Sequence, residues 1–182
     1  MADRTDSGND AGALIGTGDK SLFERVGLWL AAGDWHYTEG SEGNWYSMQV
    51  SLECGSVRTI IDTETRENEE IVMIYSIFPV RVPEARRTQV AELFARINHR
   101  AILTSLQIDM ADGQAQVLAS MSQTGSAIND ATLDRLLSVA LRFADRAFTP
   151  MLSVAYGEVT AAQAHERILA AAERVASGAQ LQ

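Results

Sequence analysis

Residues 70–78 read Glu-Ile-Val-Met-Ile-Tyr-Ser-Ile-Phe, and no other stretch restricts the fold so tightly. Its side chains are apolar in both parities: Ile71, Met73, Tyr75 and Ile77 in one, Val72, Ile74 and Phe78 in the other. The apolar run that contains it, Ile71–Val80, falls far short of the roughly 20 residues a membrane helix needs. Its β-branched and aromatic content favours a strand. A strand apolar on both sides lies in the middle of a sheet, or has one face sealed by a partner.

Neighbours for that strand are legible on either side. Residues 44–53 alternate, with Tyr46, Met48, Val50 and Leu52 pointing one way and Trp45, Ser47, Gln49, Ser51 and Glu53 the other. A short aromatic strand at 34–40 precedes them through a hairpin connector at 41–43, and a strand at 56–62 follows. The acidic stretch 63–69 reads as the turn into 70–78, with Glu64, Glu67, Glu69 and Glu70 at a solvated tip. Residues 103–109 and 114–121 form a second hairpin. Between them Asp112 and Gly113 supply the pair that tolerates positive φ in a tight turn.

Helical spacing takes over elsewhere. Leu22, Phe23, Val26, Trp29 and Leu30 mark a helix that starts at Lys20 or Ser21 and ends at Ala32, with Gly33 as a stop that tolerates positive φ. Pro83 opens a helix over 84–98, where its missing N–H costs nothing and Glu84 complements the helix dipole. Asp130 caps a long helix with a broad apolar face from Leu133 to Val154, kinked at Pro150 and ended by Gly157. A last helix, 161–176, carries Ala164, Ile168, Ala171, Ala172 and Val175 on one side. It either docks on the domain or meets another chain. Strands segregated from helices in this way give an α+β domain, a mainly antiparallel sheet with helices packed on it.

The 182 residues are the length of one domain with tails. A domain of that size buries roughly 70 % of the surface of its unfolded chain, so it needs neither disulfide nor metal. We divide the chain into a flexible tail at 1–19, the α+β domain at 20–157, a C-terminal helix at 158–176 and a fraying end at 177–182.

Chemistry is harder to find. Cys54 is the single cysteine, so no intramolecular disulfide forms. A net charge of −9 repels nucleic acid. Arg81, Arg86, Arg87, Arg96 and Arg100 read as the solvated face of one helix. The first residues are polar and lack the apolar core of a signal peptide, so the expectation is a soluble, cytoplasmic protein with no membrane insertion. His36, His99 and His165 stand more than sixty residues apart and form no metal-ligand pair. Asp109 and Asp112 lie near His99, but position twelve from Asp109 is Ser120 and not the glutamate a calcium loop requires. Residues 12–21 evoke a phosphate-binding loop and fail it, because Asp19 separates Gly18 from Lys20. Cys54 could meet His36 or His99 only through folding. No catalytic residue, cofactor or metal is assigned.

Three stretches then stand out: "PVRVPEARRTQVAELFARIN" (79–98), "LQIDMADGQAQVLASM" (106–121) and "ADRAFTPMLSVAYG" (144–157). A proline-led helix ending in Ile-Asn, an Asp-x-x-Asp-Gly hairpin and a kinked helix closing on Tyr-Gly resemble the YbjN family of bacterial proteins. That family is described as sensory-transduction regulators with a fold similar to the type III secretion chaperones. The resemblance covers roughly 20–157. It implies a homodimeric, non-enzymatic domain that binds other proteins, with no catalytic residues to carry over.

The leading expectation is therefore a protein-binding module with a regulatory or secretion-chaperone-like role. Its candidate contacts are Trp45, Tyr75, Arg86 and Arg87. Trp45 shares its strand face with Ser47 and Gln49, so it is either an exposed anchor or a ring covered by the tail or another helix. The alternative is a small-molecule or peptide sensor with a pocket between sheet and long helix near Tyr75, Phe143 and Met151. A dispersed enzyme site would gather His99, Asp109 and arginines. Dimerisation would use helix 84–98 or the final helix around a two-fold axis.

Overall fold

The structure, a computed structural model, describes residues 20–40 and 44–179, with side chains to Arg174. The expected tail at 1–19, the connector 41–43 and residues 180–182 lie outside it. The strands are β1 (Tyr37–Glu39), β2 (Trp45–Leu52), β3 (Gly55–Arg66), β4 (Glu69–Arg81), β5 (Thr104–Ile108) and β6 (Gln114–Thr124). They form one sheet in the order β1-β2-β3-β4-β6-β5, and every neighbouring pair is antiparallel. The doubly apolar β4 is interior, bonded to β3 on one side and β6 on the other.

One face of this sheet is the core. Tyr46, Met48 and Val50 of β2, Val57 and Ile61 of β3, Val72, Ile74 and Phe78 of β4, and Val117 and Ala119 of β6 are all buried on it. Three helices cover it. Helix α1 (Leu22–Ala32) lies against β3, α2 (Arg87–Asn98) against β5, and α3 (Asp130–Ala155) against β4 and β6. Helix α4 (Ala161–Ala179) packs on α2 and α3, with Ala161 and Ala164 buried, so its first turns dock on their own domain. The architecture is α+β.

Local chemistry explains each element's ends. Ser21 and Glu24 form a reciprocal cap: the Glu24 N–H donates to Ser21 Oγ at 3.2 Å and the Ser21 N–H to Glu24 Oε2 at 2.8 Å. Gly33 closes α1 at φ −86°, and the positive φ falls one residue later on Asp34, at 55°. Aspartate tolerates that region because its short side chain bonds locally. A single 3-10 turn, Glu84–Arg86, separates Pro83 from α2, so the α-helix itself begins at Arg87. Helix α3 is capped by Asn129, whose Oδ1 accepts the Thr132 N–H at 3.0 Å, and Asp130 is its first residue. The helix continues through Pro150 to Ala155. The sequence-expected turn at 63–69 shrinks to Glu67 and Asn68, because β3 and β4 continue in register to Arg66 and Glu69.

The β5–β6 hairpin answers for its acids. Asp109 Oδ1 accepts the Ala111 N–H and Asp112 Oδ1 the Gln114 N–H, both at 2.7 Å. Asp112 also pairs with Arg81. Those bonds, the main-chain one first, hold its carboxyl below the usual carboxylate range. Gly113 sits at φ +77°, and a Cβ there would lie 2.2 Å from the Val82 carbonyl oxygen. Gly113→Ala is expected to lower stability by at least about 1–3 kcal/mol from backbone conformation alone. A falling urea midpoint at unchanged slope would show it.

Asn98 settles the free edge of the sheet. Its Nδ2 donates to the Leu106 carbonyl at 2.9 Å and its Oδ1 accepts the Leu106 N–H at 2.8 Å. One side-chain amide thus takes the place of a further strand in the middle of β5, which blunts an edge that would otherwise recruit another chain.

Candidate functional site

Alternation assigns the second face of the sheet, and strand register assembles it. Tyr75 stands beside Ile60 of β3 and Leu118 of β6; Met73 beside Asp62 and Ser120; Ile77 beside Arg58 and Gln116; Ile71 beside Glu64 and Ser122. Asp62 in turn neighbours Trp45 of β2. All of these project away from the face on which α1, α2 and α3 pack. The stacked pair Phe78–Phe148 shows which side α3 occupies, with ring centroids 5.3 Å apart. Among the described residues no helix covers the second face. Ile60, Ile71, Met73, Tyr75, Ile77 and Leu118 are consequently only half-buried, shielded by one another and not by a second layer.

The polar groups here are perturbed by that greasy setting. Tyr75 Oη donates to Met73 Sδ at 3.4 Å, and burial pushes its phenol up, helped by the charge of Asp62. Burial likewise raises the Asp62 carboxyl, with Glu64 adding to it and the Thr63 N–H opposing it. Trp45 is 36 % exposed. Its ring lies on Gly40, where a Cβ would come within 2.2 Å of it, and the Gly40 N–H donates to the Trp45 carbonyl at 2.9 Å. The indole is therefore held flat at the rim of the face by its own hairpin.

Of the four candidate contact residues, the structure brings Trp45 and Tyr75 onto this face and leaves the two arginines elsewhere. Arg86 donates to the Gly157 carbonyl at 3.1 Å and to Gln89 at 2.8 Å. Arg87 donates to the carbonyls of Val82 at 3.3 Å and of Met110 and Ala111 at 3.0 Å. Both guanidinium groups tie the start of α2 to its neighbours. The residues that sequence reading passed over are Ile60, Asp62 and Leu118. Doubled apolar residues in a strand, Ile60-Ile61 and Val117-Leu118, were the available signal, since only one of each pair can face the core.

Tyr75, Phe143 and Met151, expected around one pocket between sheet and long helix, do not come together. Tyr75 points away from α3, and Met151 is fully buried beneath the helix. The possible thiol site fails on chemistry. Cys54 Sγ donates to the Asp145 carbonyl at 3.2 Å, and burial, then the Asp145 side chain, push its pKa up to about 11. A protonated thiol is no nucleophile at neutral pH. Among the described residues no three His, Cys, Asp or Glu side chains converge as metal ligands would, and no helix is long and apolar enough to cross a membrane.

Comparison with known proteins adds three findings. A family model described as "YbjN: Putative bacterial sensory transduction regulator" matches residues 23–153. No curated protein matches the sequence. Two solved structures are similar to parts of the chain. One is "YbjN, a putative transcription regulator from E. coli", at 13% identity and TM-score 0.43, covering 68% of this chain and 84% of that one. The other is the "ExsC-ExsE Complex", at 19% identity and TM-score 0.40, covering 70% of this chain and 96% of that one.

Proposed function

The chain belongs to the YbjN family, and we propose that it works as a non-enzymatic, regulatory protein-binding module whose binding surface is the open face of the sheet. The single observation that carries this reading is the half-buried apolar row on β4 and its flanking strands, with no second layer over it among the described residues. Seven residues at about 3.3 Å each, across three strands about 4.8 Å apart, make a patch of a few hundred Å². The largest apolar patch of a monomeric protein is of about that size and is often functional. Burying them is favourable at roughly 25 cal/mol per Å² before the costs of association.

The first occupant the face fits is a second copy of the chain. Arg58 and Asp62 lie on the same side of β3, two residues either way from Ile60, opposite Ile77 and Met73. A two-fold axis near Ile60 and Tyr75 sets the Arg58 of one copy against the Asp62 of the other. Such self-complementarity is what an isologous interface requires. The helices are poorer candidates, since the apolar stripe of α2, Val90, Leu93 and Phe94, is already buried within the chain. A cytoplasmic homodimer is thus the working form of the proposal. Handling of secreted segments in the manner of a chaperone is its finer variant, to be read from binding of extended apolar peptides.

The test is Met73→Glu with Tyr75→Glu. Light scattering on the unaltered chain should give about twice its 19.8 kDa. The double variant should give the single mass, with dissociation favoured about 1,000-fold, because residues at an interface centre carry about 2 kcal/mol each. Circular dichroism should be unchanged, since neither side chain faces the core. An unaltered chain that is monomeric at micromolar concentration, or a variant that dimerises as before, would remove the reading.

A further inference from the structure

A half-open cavity of about 190 Å³ lies where α2, α3 and α4 meet, on the side of the molecule opposite the open face. Its floor is apolar: Ile97 from α2, Phe143 from α3 and Ile168 from α4. Its lining also holds three basic side chains, one from each direction: Arg100 just past α2, Arg146 of α3 and His165 of α4. Among the described residues none of the three is paired with a carboxylate. The chain as a whole carries a net charge of −9, so the convergence runs against its overall sign.

We propose that this groove binds a small amphipathic monocarboxylate, its apolar tail on Ile97, Phe143 and Ile168 and its carboxylate between Arg100, Arg146 and His165. Charge complementarity selects the head group. Two guanidinium groups in one lining repel, and an anion between them reverses the sign of the interaction. Guanidinium groups take a carboxylate two-pronged. The floor selects the tail, because Ile97, Phe143 and Ile168 offer no hydrogen-bond partner to a sugar or base and present an aromatic ring to an alkyl or aryl group. Volume limits the size. Apolar cavities of about 150 Å³ hold a benzene-sized molecule, while sites for larger ligands start at about 300 Å³. A short-chain or aromatic acid is the class that fits. This site is separate from the open face and does not depend on what that face binds.

Hexanoate and hexan-1-ol are the probes, titrated into the full chain and followed by methyl and amide NMR shifts. Hexanoate should give saturable shifts at Ile97, Ala101, Ala147 and Ile168, and hexan-1-ol should bind at least about fivefold more weakly. Arg100→Gln with Arg146→Gln should weaken hexanoate about fivefold to tenfold and leave hexan-1-ol and the light-scattering mass unchanged. Both arginines are exposed, so this variant keeps the fold. Ile168→Trp, which fills the apolar half, should abolish both shifts. Equal binding of acid and alcohol would overturn the proposal, as would an arginine variant that binds hexanoate undiminished. So would the absence of saturable shifts in the millimolar range, or shifts at these residues that follow protein concentration and not hexanoate, which would give the groove to a second copy.

Discussion

Phe78→Ala is expected to lower the stability of the chain by about 3–5 kcal/mol, the usual range for a buried aromatic cut back to alanine. Phe78 is 2 % exposed and sits in the interior strand β4. Its ring stacks on Phe148 of α3, with an interplanar angle of 15°. That contact is where the interior strand meets the C-terminal part of α3, and Phe148 is in turn backed by β3, where a Cβ on Gly55 would lie 3.0 Å from the ring. The site is therefore rigid on both sides and collapses little, which puts the expected loss at the upper part of the range. Phe148→Ala should cost nearly as much. The double variant should fall short of the sum by about 0.5–1.5 kcal/mol, the coupling between stacked rings. Urea unfolding reads all three, as midpoints that fall at constant slope. A loss below about 1 kcal/mol for Phe78→Ala would mean that α3 does not seat on β4 as described.

Why the sheet was readable and its outer face was not comes down to range. Parity is local: Ile74 and Tyr75 announce opposite faces within two residues, and Tyr46 and Trp45 do the same. That much placed β4 in the interior and put Trp45 and Tyr75 among the candidate contacts. Register is not local. Whether Tyr75 meets Ile60 or Asp62 depends on a pairing set by the whole hairpin, and no spacing rule names it. The arginines show the opposite failure. Arg86 and Arg87 look like free charges along the chain, yet Arg87 spends its donors on carbonyls 23 and 24 positions away. Main-chain acceptors leave no trace in composition. The groove between α2, α3 and α4 was illegible for the same reason, since Arg100, Arg146 and His165 belong to three segments that only tertiary packing joins.

Glu70 is the residue on which sequence and structure part furthest, and Glu70→Ala is expected to cost about 2–4 kcal/mol. Four glutamates within seven positions read as a solvated tip, and Glu64 conforms, bonded to Arg66 with both side chains well exposed. Glu70 does not. Its oxygens accept Arg25 Nη2 at 2.6 Å each, and Oε2 also accepts the Ile128 N–H at 2.8 Å. The pair is only 12% and 18% exposed. One carboxylate thus joins α1, the start of β4 and the approach to α3. Removing it leaves Arg25 Nη2 and the Ile128 N–H without their acceptor in a largely dry site, which is where broken pairs are expensive, while Arg25 Nη1 keeps the Lys20 carbonyl. The residual exposure lets water screen part of that charge, hence a figure below the about 3–5 kcal/mol of a fully buried pair. Arg25→Met with Glu70→Leu should recover much of the loss, because two apolar side chains need no desolvated partner. Glu92→Ala, which breaks the exposed one-turn pair with Arg96, should change stability by no more than about 0.5 kcal/mol. Equal effects of Glu70→Ala and Glu92→Ala in urea unfolding would show that Glu70 is a surface acid after all, and would detach α1 from the sheet end it is placed against.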